Sequence, residues 1–171
     1  LGLDAALVGL VLSVGPLVVA LTSVPSGRMA DRFGARRTTT LGLAGMAAGA
    51  FTLSMLPTLS GIPGYIAPIV VITASYALFQ TANNTAVMAG VGADQRGAIS
   101  GLLNLSRNLG LITGASVMGA VFTLASATTD ITSAHPEAVA SGMRTTFGVA
   151  AALIAAALAI TIGPRIRPAA R

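Results

Sequence analysis

Arg107 is the residue best placed to do chemistry in this chain. It lies within a long apolar run, and at about 1.5 Å of rise per residue counted from Gly97 it sits roughly 15 Å along a helix. That depth is near a bilayer midplane, where a charge costs several kcal/mol unless it is paired or solvated. Its face is therefore expected to turn inward. Ser100, Asn104, Asn108 and Leu111 share or adjoin that face. In the preceding apolar run, Thr73, Tyr76, Gln80 and Asn84 recur at three- and four-residue steps, with Asn83 beside them, so they form one helical stripe. Gln80 falls at a depth similar to Arg107 and is expected to meet it if the two helices pack together. Such groups offer hydrogen bonds and one fixed positive charge. Two readings stand: Tyr76, Gln80, Asn83, Asn84, Asn104, Arg107 and Asn108 line a substrate path, or they crosslink helices by hydrogen bonds.

Other chemistries lack the residues they need. The 171 residues include no cysteine, one histidine (His135) and five carboxylates, so thiolate sites and disulfides are excluded and no metal or other cofactor is expected. No catalytic triad or phosphate-binding loop is present, and the chain is not expected to be an enzyme. A net charge of +5 can attract nucleic acid, but the arginines sit between apolar spans without an aromatic-rich basic surface, so no nucleic-acid partner is expected.

The elements that hold these residues are apolar helices. Hydrophobic residues make up 54% of the chain and charged residues 9%, with a mean hydropathy of +0.83. A globular domain needs a polar skin that this composition cannot supply, so the lipid bilayer is the expected solvent. Five spans are long enough to cross ~30 Å of hydrocarbon: residues 6–24, 38–56, 65–91, 98–125 and 145–162. Gly15-Pro16 is a candidate kink in the first. A polar segment before the fifth span, containing His135, is expected to be the one extended loop. No Asp or Glu falls inside these spans, so a membrane-embedded proton-carrying carboxylate is not found in them. In the fourth span Gly97 with Gly101, and Gly110 with Gly114, have the spacing of close helix packing.

Charge sets the orientation. Arg28, Arg32, Arg36, Arg37, Arg96, Arg165, Arg167 and Arg171 collect on one side; Asp4, Asp130, Glu137 and Arg144 fall on the other. An excess of arginine marks the cytoplasmic side, which places the C-terminus inside and the N-terminus of this multi-pass chain outside.

The densest charge is in "SGRMADRFGARR", residues 26–37. Gly27 allows two helix ends to approach, and Gly34 allows a positive φ where the chain reverses. Asp31, read as lying near the start of the next helix, favours a positive dipole end. Arg32, Arg36 and Arg37 can pair with carboxylates at the cytoplasmic face, the nearest available partner in this chain being Asp94. Gly27, Asp31, Arg32, Gly34, Arg36, Arg37 and Asp94 are thus candidates for an ion-pair latch that breaks when the protein changes conformation.

The stretch "GRMADRFGARR" resembles the cytoplasmic loop signature of the major facilitator superfamily. In addition, "FQTANNTAVMAGVGADQRGAISGLLNLSRNLG" resembles late helices of its fourteen-helix drug/proton antiporter branch. The resemblance implies an all-α integral membrane fold, with five transmembrane helices forming most of a C-terminal six-helix half, and an N-terminal half absent from the sequence. It implies secondary active transport by alternating access, with proton-coupled multidrug efflux of small drug-like compounds from the bacterial cytoplasmic membrane. The implied partners are a small-molecule substrate, protons, the lipid bilayer and that missing half. Two alternatives remain: a membrane scaffold or accessory protein without transport, and a metabolite importer of the same superfamily.

Overall fold

A computed structural model describes residues 5–56, 61–127 and 135–163. Every regular element among them is an α-helix: α1 (Ala5–Phe33), α2 (Ala35–Met55), α3 (Gly61–Met88), α4 (Arg96–Ser126) and α5 (Pro136–Ile162). The shortest has 21 residues, about 32 Å at the α-helical rise, and so matches a bilayer core. Residues 64–88, 96–126 and 136–162 are also clearly apolar enough to cross a membrane.

Two helices extend beyond the spans expected from hydropathy. α1 passes through Pro16 and Pro25 and runs on to Phe33, so most of the arginine-rich segment is helix rather than loop. Only Gly34 separates it from α2. α5 starts at Pro136, well before the expected boundary at 145, which shortens the extended loop. Proline at the first helical position sacrifices no intrahelical bond, and Glu137 in the first turn suits the positive end of the dipole. Hydropathy misses both extensions because it reads apolar length, and polar and charged residues bound each apolar stretch short of the helix end.

By extensive contact the helices follow an arc: α1 packs on α3, α3 on α2, α2 on α5 and α5 on α4, whereas α3 and α4 barely touch. Small residues make the tight joints. A Cβ added at Gly42 would lie 2.7 Å from the Phe79 backbone nitrogen and 2.8 Å from the Ser75 carbonyl oxygen. At Gly49 it would lie 2.6 Å from Ile72. These glycines let α2 and α3 approach at backbone distance. At the other joint, Gly142 of α5 faces Phe122 and Ser126 of α4.

The buried core is correspondingly small-sided, with Ala30, Leu43, Ala50, Leu53, Ala77, Ala82 and Ala151. Large apolar side chains point outward instead, among them Leu102, Leu105, Leu109, Ile112, Leu124 and Ile160. In water this surface would be untenable; in lipid, or under further helices, it is the expected exterior.

Candidate functional site

Several serine and threonine hydroxyls of α3 and α4 settle their hydrogen bonds within their own helices. Thr73 donates to the Ile69 carbonyl (2.7 Å), Thr85 to Thr81 (3.0 Å), Ser100 to Gly97 (2.9 Å) and Ser116 to Ile112 (2.9 Å). Back-bonding of this kind satisfies a hydroxyl in a medium without water. Longer amides and a guanidinium must find partners elsewhere.

They converge on the gap left where α3 and α4 fail to pack. A cleft of about 520 Å³ opens there, lined by Tyr76, Gln80, Asn83 and Asn84 from α3 and by Ser100, Asn104 and Arg107 from α4. Phe79, Met88, Leu103 and Leu111 supply its apolar wall. Six of the seven substrate-path candidates thus share one cleft. Asn108 is exposed outside the lining, and Thr73 of the stripe is likewise absent from it.

Among the described residues, none of these amides, nor Arg107, makes a side-chain hydrogen bond, and Gln80 and Arg107 are not joined by one. The expected crosslink between the third and fourth helices is therefore not formed within this chain. Their polar atoms remain accessible from the cleft, since no buried side-chain N or O atom lacks a partner. The arrangement can bind a ligand by several hydrogen bonds, two aromatic faces and one positive charge. No carboxylate lines it.

The arginine-rich turn is built differently from its expected form. Gly34 has φ +82, the left-handed region expected of it. Thr38 is fully buried and donates to the Met29 carbonyl (3.2 Å) and the Gly34 carbonyl (3.0 Å), which ties α2 back to the end of α1. Asp31 occupies the last turn of α1 rather than the start of α2. Its charge thus sits at the unfavourable end of its own helix dipole, with Arg32 beside it. Gly27 has nothing within 4 Å of an added Cβ, so no close helix approach is made there.

Asp31, Arg32, Arg36, Arg37 and Asp94 are all exposed. The Arg32 guanidinium lies 5.6 Å from the Phe33 ring centroid, and Arg96 Nε donates to the Val91 carbonyl. Neither arginine makes a carboxylate contact in these interactions. Asp4, Asp130, Ser133, Arg165, Arg167 and Arg171 lie outside the described residues.

Sequence spacing singled out the wrong glycines for packing within the chain. Gly97, Gly101, Gly110 and Gly114 meet nothing within 4 Å, whereas Gly42, Gly45 and Gly49 are pressed against α3. The latter three fall on one helical face at steps of three and four residues, a signal present in the sequence and of the same strength.

Comparison with known proteins agrees with this architecture. The profile described as Major Facilitator Superfamily matches residues 1–171. The chain is similar to the "Uncharacterized transporter YebQ" of Escherichia coli (strain K12), at 33% identity over 110 residues, covering 64% of this chain and 24% of that relative. It therefore aligns with about a quarter of that relative's length. No solved structure matches. Five membrane-length helices, three of them clearly apolar enough to cross a bilayer, and a profile match from the first residue to the last place this chain in the Major Facilitator Superfamily.

Proposed function

We propose that this chain supplies part of the substrate path of a secondary active transporter, and that the α3/α4 cleft is its share of the binding site. The observation that carries the reading is the cleft itself: amides and a guanidinium without hydrogen-bond partners converge where two membrane-length helices separate. Secondary transporters hold substrate near the midplane between two halves and rock those halves around it. The finer reading is proton-coupled efflux of small drug-like compounds from a bacterial plasma membrane, with the arginine-bearing end cytoplasmic. It is supported by the antiporter-like sequence of α3 and α4 and by the arginine asymmetry.

The cleft's chemistry narrows the roles. With Arg107 and no carboxylate in its lining, this side can attract an anionic or hydrogen-bonding group of the substrate. A site for cations, and the proton-carrying acid, belong to helices beyond those described. The arginine-rich turn serves as a latch in this scheme: Asp31, Arg32, Arg36, Arg37 and Asp94, exposed here, engage partners across the two halves in one state and release them in the other.

The test is transport by the full-length protein against a compound panel, with and without a proton gradient. Arg107→Ala should lower transport by about tenfold or more, the loss of ~1.4 kcal/mol or more of binding, at unchanged membrane abundance. Full transport by Arg107→Ala would reduce the residue to a structural one and remove the main support for the cleft.

A further inference from the structure

A second cavity lies at the arginine-bearing end, on the other side of α3. It encloses about 690 Å³ between the start of α2 and the ends of α3 and α5, within the ~300–1,000 Å³ range of small-ligand sites. Its walls are of two kinds. Leu43, Phe79, Ala157 and Ile160 make an apolar floor; Arg36 and Thr39, in the first two turns of α2, supply polar groups at its rim, and Asn83 and Thr161 add polar groups from α3 and α5.

Three independent observations give that rim a preference for anions. Arg36 is exposed, and its guanidinium is a donor fork suited to phosphate. Helix α2 begins after Gly34 with no side-chain cap, so first-turn amides and the positive dipole end are available to an anion. Thr39 is only 9% exposed, yet its hydroxyl makes no hydrogen bond among the described residues. Thr38 and Thr40 on either side both return theirs to backbone carbonyls. No fully buried polar atom is left unpaired, so the Thr39 oxygen is reached from the cavity it lines.

We propose that this cavity is a binding site for a membrane phospholipid with an anionic headgroup. The phosphate lies against Arg36, Thr39 and the α2 amides, and the start of an acyl chain runs over Leu43, Ala157 and Ile160. Charge complementarity commits the site to this occupant: a basic pocket between transmembrane helices, opening where headgroups lie, selects anionic lipid over zwitterionic. The site adjoins the α3/α4 cleft, since Phe79 and Asn83 line both cavities, but its arginine and threonine belong to α2.

The test is lipid retention by the full-length transporter, measured by native mass spectrometry after exchange into mixed phosphatidylglycerol and phosphatidylcholine. Phosphatidylglycerol should be retained at least about tenfold over phosphatidylcholine, a difference of ~1.4 kcal/mol. Arg36→Gln should abolish that selectivity, and Arg36→Lys should restore part of it. Thr39→Val, nearly isosteric, should lower retention without changing the melting temperature. Ile160→Trp, at an exposed position, should block the chain without touching the charge. Equal retention of the two lipids by the unmodified protein, or unchanged retention in both Arg36→Gln and Ile160→Trp, overturns the proposal. Full displacement of the lipid by glycerol phosphate overturns it as well, because the site would then be one for a free anion.

Discussion

At the scale of single residues, the turn between α1 and α2 depends on two side chains of opposite simplicity. Gly34 holds φ +82 with ψ 148, an extended positive-φ region that costs an L residue roughly 1–3 kcal/mol. Gly34→Ala should therefore lower the melting temperature of the detergent-purified transporter, although nothing lies within 4 Å of the added methyl. An unchanged melting temperature would mean that the turn takes another conformation. Thr38→Val removes the bonds to the Met29 and Gly34 carbonyls. Its expected cost is about 1 kcal/mol, the usual net value of a hydrogen bond, read as a further fall in melting temperature and faster proteolysis at the turn. The φ of Gly34 was legible in the sequence because a short reversal between helices leaves little choice. The Thr38 bridge was not, since nothing local distinguishes it from Thr39 and Thr40.

Among the elements, the decisive contact is α2 on α3. Gly42→Ala places a methyl within 2.8 Å of backbone atoms of Phe79 and Ser75. Backbone cannot yield as a side chain tip does, so the helices must separate. Overpacking of this kind typically costs ~1–3 kcal/mol, and the variant should accumulate less in the membrane and melt earlier than wild type. Stability equal to wild type would show that α2 and α3 are not packed at this face. Helix existence was readable from apolar length, and the polar stripe of α3 was readable from its three- and four-residue steps. Which glycine face is buried was not. Gly97, Gly101, Gly110 and Gly114 on α4 and Gly42, Gly45 and Gly49 on α2 carry the same kind of pattern, and only the partner decides between them. Asp31 was misplaced for a related reason: α1 continues past its apolar stretch, so the charged residues belong to its last turns.

For the whole molecule, the helices leave one polar-lined cleft between α3 and α4 and expose large apolar side chains elsewhere, a division that suits the proposed transport role. The proposed orientation rests on the arginine asymmetry. A cysteine at Glu137 should react with an impermeant thiol reagent in intact cells and one at Phe33 should not; the opposite pattern would invert the topology. The six cleft residues could be named from sequence because polar groups in lipid must face inward. Their convergence on a gap between α3 and α4, rather than on a direct contact, required the fold.

That gap is the centre of the account, and occluding it is the most direct test. In vesicles of the full-length transporter without other reactive thiols, Gln80→Cys should lose about tenfold or more of its transport once a bulky maleimide is attached, equivalent to a barrier raised by ~1.4 kcal/mol or more. A substrate from the panel should slow the attachment, and Asn108→Cys should be indifferent to it. Undiminished transport by fully modified Gln80→Cys would contradict the assignment of the α3/α4 cleft to the substrate path.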